Sequence, residues 1–180
     1  MKTPANVLDF WYSDEARARW FKSTPEFDAE IVRRFEDTVE SVSKGPFPHP
    51  VWEETPKHAL ALIILLDQFP RNMFREEPDS FATDPLAKSI ATQAIDMGYE
   101  EALEGPEKAF LFMPFMHSES LEDQDRAVAL FRRAGLEENL QYAIGHRDLI
   151  RRFGRFPHRN PVLGRESSPE ELQAIEDWHS

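Results

Sequence analysis

The stretch TPKHALALIILLDQFPRN, residues 55–72, decides the fold. It opens with a helix start signal, because a threonine hydroxyl caps a helix well and proline is favoured in the first turn. From Pro56 to Phe69 the sequence is apolar on nearly every side, which predicts a central, buried helix that Pro70 ends. Asp67 falls inside this apolar run. Its carboxylate needs a partner, because an unpaired charge is strongly destabilising in a protein interior.

Helices are also predicted on both sides of this stretch. Apolar residues at helical spacing predict a helix over about residues 27–44 with one buried face: Phe27, Ile31, Phe35, Val39 and Val42. Start and stop signals predict further helices near residues 5–12, 83–98, 107–116, 121–134, 138–153 and 168–178. Pro114 should kink or break its helix, and three prolines predict a loop over residues 45–50. No segment has the pattern of a strand. The expected fold is all-α, with seven to eight helices stacked as antiparallel hairpins.

Composition excludes several classes of protein. A chain of 180 residues is long enough for one domain with a sizeable core, and we predict a single all-helical domain over residues 1–180. The absence of cysteine excludes disulfides and thiolate chemistry. The net charge of −12 argues against nucleic-acid and anionic-membrane partners. The longest apolar run is too short to span a bilayer and the N-terminus is unlike a signal peptide, so a cytoplasmic location is expected.

Positive charge is concentrated near the C-terminus. Residues 145–165 contain six arginines and one acid, Asp148, in an otherwise acidic chain. On a helix over about 138–153, Arg147 and Arg151 project from the side that should pack, with His146 at its edge. We predict that one of these arginines pairs with Asp67, since each charge lies on an apolar face. Gly154 should end this helix in a left-handed conformation.

The polar motifs resemble those of a bacterial family called domain of unknown function nine-two-four. The resemblance runs from Val7 to about Glu171. It rests on LDQFPRN (66–72), FATD (81–84), PFMHSE (114–119), HRDLIRRFGRFPHRN (146–160) and LGRES (163–167). It implies a tetratricopeptide-like stack of helical hairpins and carries no established activity. After residue 171 the chain departs from the family's expected Phe-Leu step.

These motifs contain the candidate site residues. Carboxylates and imidazoles suit acid–base catalysis, and we assign that role to Asp67, His117, Glu119 and His158. Guanidinium, amide and imidazole groups suit an anionic ligand, and we assign ligand binding to Gln68, Arg71, Asn72, His146, Arg147, Arg151, Arg155, Arg159 and Asn160. No metal site and no cofactor are predicted, because no ligand spacing supports a metal.

Three interpretations follow. In the first, these side chains line one pocket for a small anionic metabolite, with acid–base catalysis. In the second, a tetratricopeptide-like groove binds an acidic peptide. In the third, the polar groups form a buried network that specifies one arrangement of the helices. We favour the first, because the motifs hold more charged groups than specifying a fold requires.

Overall fold

The computed structural model describes residues 1–45 and 50–179, and within these ranges every regular element is a helix. The α-helices are α1 (Pro4–Trp11), α2 (Asp14–Arg17), α3 (Pro25–Lys44), α4 (Pro50–Glu53), α5 (Pro56–Ile63), α6 (Phe69–Met73), α7 (Asp84–Asp96), α8 (Gly105–Met116), α9 (Leu121–Arg133), α10 (Glu137–Phe153), α11 (Asn160–Leu163) and α12 (Pro169–His179). A π-helical turn (Ile64–Gln68) joins α5 to α6, and 3-10 turns cover Pro78–Phe81, Tyr99–Ala102 and Pro157–Arg159.

The predicted all-α class is confirmed. If α5, the π turn and α6 are taken as one continuous helix, the described ranges contain eight helices of at least eight residues: α1, α3, residues 56–73, α7, α8, α9, α10 and α12. Consecutive helices from α7 to α10 are joined by short connections and pack against one another, as in antiparallel hairpins. The predicted proline loop falls on residues 46–49, which lie outside the described part of the chain.

The central helix is buried as predicted. Every residue from Ala59 to Leu66 is buried, and the helix contacts α1, α7 and α8. The apolar face predicted for α3 is also confirmed, since all five of its residues are buried. Phe35 and Phe69 meet in the core with ring centroids 4.7 Å apart, which ties α3 to the end of the central helix.

Pro70 does not end the central helix, and that prediction is wrong. The helix widens into the π turn and continues to Met73. Proline has no N–H, so a carbonyl of the preceding turn loses a helical partner. The hydroxyl of Thr83 donates to the carbonyl of Leu66 at 2.5 Å. A second chain segment therefore bonds a carbonyl of the turn that contains Pro70. Single π turns are frequent at functional sites.

A kink or a break was predicted at Pro114, and the break is absent, because α8 runs through Pro114 to Met116. At the end of α8, Nε2 of the Gln124 side chain donates to the backbone carbonyls of Met116 and Ser118, both at 2.7 Å. Gln124 lies on α9, so this contact also fixes how α9 returns against α8. His117, the residue that follows α8, is positioned by the same turn.

The C-terminal elements follow their sequence signals. Gly154 has φ 71° and ends α10, as predicted. Ser168 and Glu171 form the expected capping box of α12, with the two backbone N–H groups bonded at 2.8 and 3.2 Å. Helix α12 packs mainly against the 3-10 turn Pro157–Arg159. None of the described helices has the length and apolar character needed to cross a membrane.

Candidate functional site

Asp67 and His117 form the centre of the candidate site. Asp67 lies in the π turn and is fully buried, and His117 follows the end of α8. His117 Nδ1 lies 2.8 Å from Asp67 Oδ1, and Gln68 Nε2 donates to Asp67 Oδ2 at 2.5 Å. Burial alone would raise the pKa of Asp67, but His117 and Arg71 outweigh it and hold that pKa well below its usual range. The ionised carboxylate therefore fixes the orientation of the imidazole.

The second nitrogen of His117 is the group left for chemistry. With the proton held on Nδ1 by Asp67, Nε2 of the neutral ring is an acceptor. Within the described residues no hydrogen bond engages Nε2, and 14% of the His117 side chain is exposed. A buried carboxylate that orients an accessible imidazole is an arrangement suited to a general base.

Arg71 joins this pair to the start of α7. Its guanidinium holds Asp84 with two hydrogen bonds of 2.8 and 3.0 Å, and it also donates to the backbone carbonyl of Asp67. Burial alone would lower the pKa of Arg71, but Asp67 and Asp84 outweigh it and raise that pKa. Arg71 is thus a fully paired cation that connects the π turn to α7.

Arg159 is the most buried arginine of the group, at 7% exposed. Its Nη2 donates to the carbonyl of His117 at 2.8 Å, and Nη1 lies 3.5 Å from Asp84. The guanidinium carbon lies 4.3 Å from the ring centre of Phe81 and 4.8 Å from that of Phe156. Its Nε is buried and has no hydrogen-bond partner. Burial, followed by repulsion from Arg71, lowers the pKa of Arg159 to about 10, so its charge is incompletely compensated.

Glu119 has a different environment from the catalytic one predicted for it. Arg165 holds both of its oxygens at 2.9 Å, and the backbone N–H of Phe156 donates to it at 2.8 Å. Asn160 accepts from Arg165 at 2.8 Å and donates to Ser167 at 3.0 Å. Burial raises the pKa of Glu119, but these contacts with Arg165 and Phe156 outweigh it and lower that pKa. The group fastens the segment after α10 to the end of α8.

His146 and His158 lie together beside the centre, under Trp178. The His146 ring lies 6.5 Å from that of His117 and 4.8 Å from that of Trp178, which stacks on His158 at 4.9 Å. Nδ1 of His146 is bonded to the carbonyl of Tyr142 at 2.8 Å. Burial lowers the pKa of His146 to about 3, so this imidazole is neutral at physiological pH. His146 therefore borders the site as an uncharged ring.

The structure places Arg147 and Arg151 elsewhere, and the predicted ion pair with Asp67 is wrong. Both arginines approach Asp125 of α9, at 3.7 and 3.4 Å. The side chain of Arg151 is 52% exposed, so its predicted position on the packing side of α10 is also wrong. The buried face of α10 consists instead of Leu140, Ala143 and Ile150. Asp125 thus faces both guanidiniums, of which that of Arg151 lies at the surface and that of Arg147, 19% exposed, is mostly covered.

Two more predicted ligand-binding residues form structural contacts away from His117. Arg155 holds Glu171 of α12 at 2.7 and 2.9 Å. Asn72 donates to Asp28 at 2.7 Å, which attaches the end of α6 to α3. The predicted residues thus separate into a centre and peripheral ties. The centre contains Asp67, Gln68, Arg71, His117 and Arg159.

Sequence reasoning missed Asp84, Phe81 and Arg165. All three lie in motifs that had been recognised, since Phe81 and Asp84 belong to FATD and Arg165 to LGRES. Asp84 was assigned only to the start of a helix, where an acidic residue is expected. Its position between Arg71 and Arg159 depends on how α7 packs, which no local pattern reveals.

Comparison with known proteins agrees with the motifs. Residues 7–178 match the sequence profile of the family described as "Bacterial protein of unknown function (DUF924)". The chain belongs to the DUF924 family. It is similar in structure to the protein of unknown function ATU0120 from Agrobacterium tumefaciens, with a TM-score of 0.90, 40% sequence identity and 97% of each chain covered. Comparison with curated proteins gives no match.

A groove in this DUF924 protein lies away from the centre. It has a volume of about 1100 Å³ and lies along α1, α2 and α3. Its charged side chains balance, with Lys2, Arg19, Arg33 and Arg34 against Asp9, Glu15, Glu26 and Glu30. That balance gives no support to an acidic peptide partner in the groove. Among the residues that the structure describes, no group of three or more histidine and acidic side chains could hold a metal ion.

Proposed function

We propose that the centre is an acid–base site for a small anionic metabolite, with His117 as the general base. The observation that carries this proposal is the contact of 2.8 Å between His117 Nδ1 and the buried Asp67, which leaves Nε2 available. Asp67 positions the ring and stabilises the imidazolium that forms when Nε2 accepts a proton. A pair of this kind is expected to accelerate a proton transfer by about 10²- to 10⁴-fold.

Arg159 supplies the anion-binding part of the proposal. It donates to the carbonyl of His117, so its guanidinium lies beside the proposed base. Its charge is incompletely compensated, which favours an anion near it. We place Arg71 and Asp84 in a supporting role, because the two hydrogen bonds between them satisfy each other. Glu119 and Arg155 are assigned to the structure and not to the reaction.

The structural-network interpretation is favoured for the periphery. Glu119 with Arg165, and Arg155 with Glu171, are paired through two hydrogen bonds each. Such pairs specify how the C-terminal segment docks and leave little capacity for a ligand. We further propose that the chain acts as one domain in the cytoplasm on small molecules, because its net charge of −12 disfavours nucleic acid and anionic membranes.

A proton-exchange assay tests the proposed function without knowledge of the substrate. The protein is incubated in D₂O with pooled small carboxylates and phosphate esters, and mass spectrometry follows deuterium uptake and depletion. A general base should exchange or convert at least one anion. His117→Gln should abolish that signal. The control His58→Gln, in the first turn of α5, should retain it. An equal signal in wild type and His117→Gln, or none from wild type, would refute the proposal.

A further inference from the structure

Arg159 differs from the other arginines near the centre in how its positive charge is compensated. Arg71, Arg155 and Arg165 each hold a carboxylate through two hydrogen bonds. Arg159 is more deeply buried, yet its hydrogen bond goes to a neutral carbonyl, and its ion pair of 3.5 Å is with an Asp84 that Arg71 already holds. Its Nε is buried without a partner. A buried donor of a charged group without a partner requires an explanation, and a ligand is one.

The surroundings of this guanidinium are flat and aromatic. Phe81 and Phe156 lie 4.3 and 4.8 Å from the guanidinium carbon, and the His146 ring lies 5.4 Å from Phe156. The rings cover the guanidinium, so a ligand reaches it along its N–H edge. Planar carboxylates match that edge with two parallel hydrogen bonds. Phe81 is half-buried whereas Phe156 is fully buried, so Phe81 is the more accessible of the two rings.

Charge balance sets the charge of the ligand. Arg71 and Arg159 already face two carboxylates, Asp67 and Asp84. Glu119 is held by Arg165. The centre is therefore neutral when His117 is neutral. A monoanion adds one negative charge to this buried place and a dianion adds two, so the dianion is the more costly ligand.

We propose that the ligand is a small carboxylic acid in its monoanionic form with a flat, unsaturated or aromatic body. The carboxylate binds the N–H edge of Arg159, and the body lies among Phe81, Phe156 and His146. This inference rests on the proposed function and narrows it from small anions to one chemical class. Phosphate esters are disfavoured, because they are largely dianionic at neutral pH.

Calorimetric titration with benzoate, phenyl phosphate and benzamide tests the class. The three probes share one ring and differ in the charge and shape of the attached group. Benzoate should bind at least about tenfold more tightly than phenyl phosphate, and neutral benzamide should not bind.

Variants locate the site and separate the possible failures. Arg159→Lys keeps the charge and removes the planar fork, so benzoate should bind at least about tenfold more weakly. Arg151→Gln removes a charge on exposed α10 and should leave binding unchanged. Stronger Arg159-dependent binding of phenyl phosphate would overturn the carboxylate class and leave the anion site standing. Absence of benzoate binding, or binding unaffected by Arg159→Lys, would overturn the inference, while the exchange assay decides the proposed function independently.

Discussion

Asp67 and His117 are separated by 50 positions in the sequence, yet Oδ1 of one lies 2.8 Å from Nδ1 of the other. Asp67 comes from a π turn that interrupts the central helix, and His117 comes from the residue that follows α8. Helix α8 packs against both α5 and the π turn, so the contact joins the ends of two buried helices. Asp67 is fully buried and His117 is partly exposed, so His117 is the member of this pair that could exchange protons with a ligand.

Asp67→Asn should strongly destabilise the protein at neutral pH. The change removes a buried charge that faces Arg71 and leaves His117 without its carboxylate partner, a class of change that costs about 3–5 kcal/mol. Denaturant unfolding of wild type and variant measures the difference. A loss below about 1 kcal/mol would show that the pair contributes little to stability.

The same variant should reveal a pH dependence. The pKa of Asp67 in the folded protein lies below its value in the unfolded chain, which is near 3.8. A depressed carboxyl pKa stabilises the fold above that unfolded value, and the stabilisation is lost as pH falls below it toward the folded pKa. The difference in unfolding free energy between wild type and Asp67→Asn should thus be constant from pH 7 to about 5 and shrink below about 4.

His146 should remain neutral throughout the physiological range. Burial lowers its pKa to about 3, whereas an unfolded histidine titrates near 6.5. Between these values the unfolded chain binds the additional proton, so wild type loses stability as pH falls through this window, by at most about 1.4 kcal/mol per pH unit from this group. His146→Phe should flatten that part of the stability curve. NMR should show one imidazole, absent in His146→Phe, that does not titrate between pH 8 and 5.

Thr83 and Pro70 should be energetically coupled through the carbonyl of Leu66. Thr83→Val removes the hydroxyl that donates to that carbonyl and should cost about 1–2 kcal/mol. Pro70→Ala restores an N–H that is able to serve the same carbonyl. In that background Thr83→Val should cost less, and a double-mutant cycle in urea measures the coupling. Strictly additive effects would mean that the hydroxyl does not replace the bond that proline removes.

The parts of the fold that could be predicted are those specified by residues close together in the sequence. Helices α3 and α5 were predicted because their apolar spacing and capping residues lie within short stretches of sequence. The burial of α5 was predicted because its sequence is apolar on nearly every side. The π turn was missed because Pro70 ordinarily signals a helix end. Its hydrogen bond from Thr83 to the carbonyl of Leu66 joins residues 17 positions apart, which no local pattern reveals.

The sequence predicted which residues belong to the candidate site but not which of them pair with one another. The requirement that Asp67 have a partner was read correctly from its apolar surroundings, but the partners are His117 and Arg71, not Arg147 or Arg151. Helical spacing fixes the angular position of a side chain on its own helix. It does not fix which helix faces it, so Asp125 of α9, which pairs with both arginines, could not be selected. Asp84 was missed for the same reason.

Arg71→Met and Arg159→Met should have opposite consequences for stability. Arg71 holds Asp84 through two hydrogen bonds, so its removal leaves Asp84 and Asp67 undercompensated and should cost about 3–5 kcal/mol. Arg159 carries a buried charge with an unpartnered Nε and a lowered pKa, and its removal leaves Asp84 still paired with Arg71. Replacing it by an apolar side chain of similar length should change stability by less than about 1 kcal/mol or increase it, because the fold no longer has to desolvate that charge.

Urea unfolding of both variants provides the comparison. Arg71→Leu and Arg159→Leu serve as repeats with a different packing of the replacement. Equal and large losses would identify Arg159 as one more element of a structural network. A loss confined to the Arg71 variants would mean that the fold retains at position 159 a charge it does not need for its own stability, which is the behaviour of a binding residue.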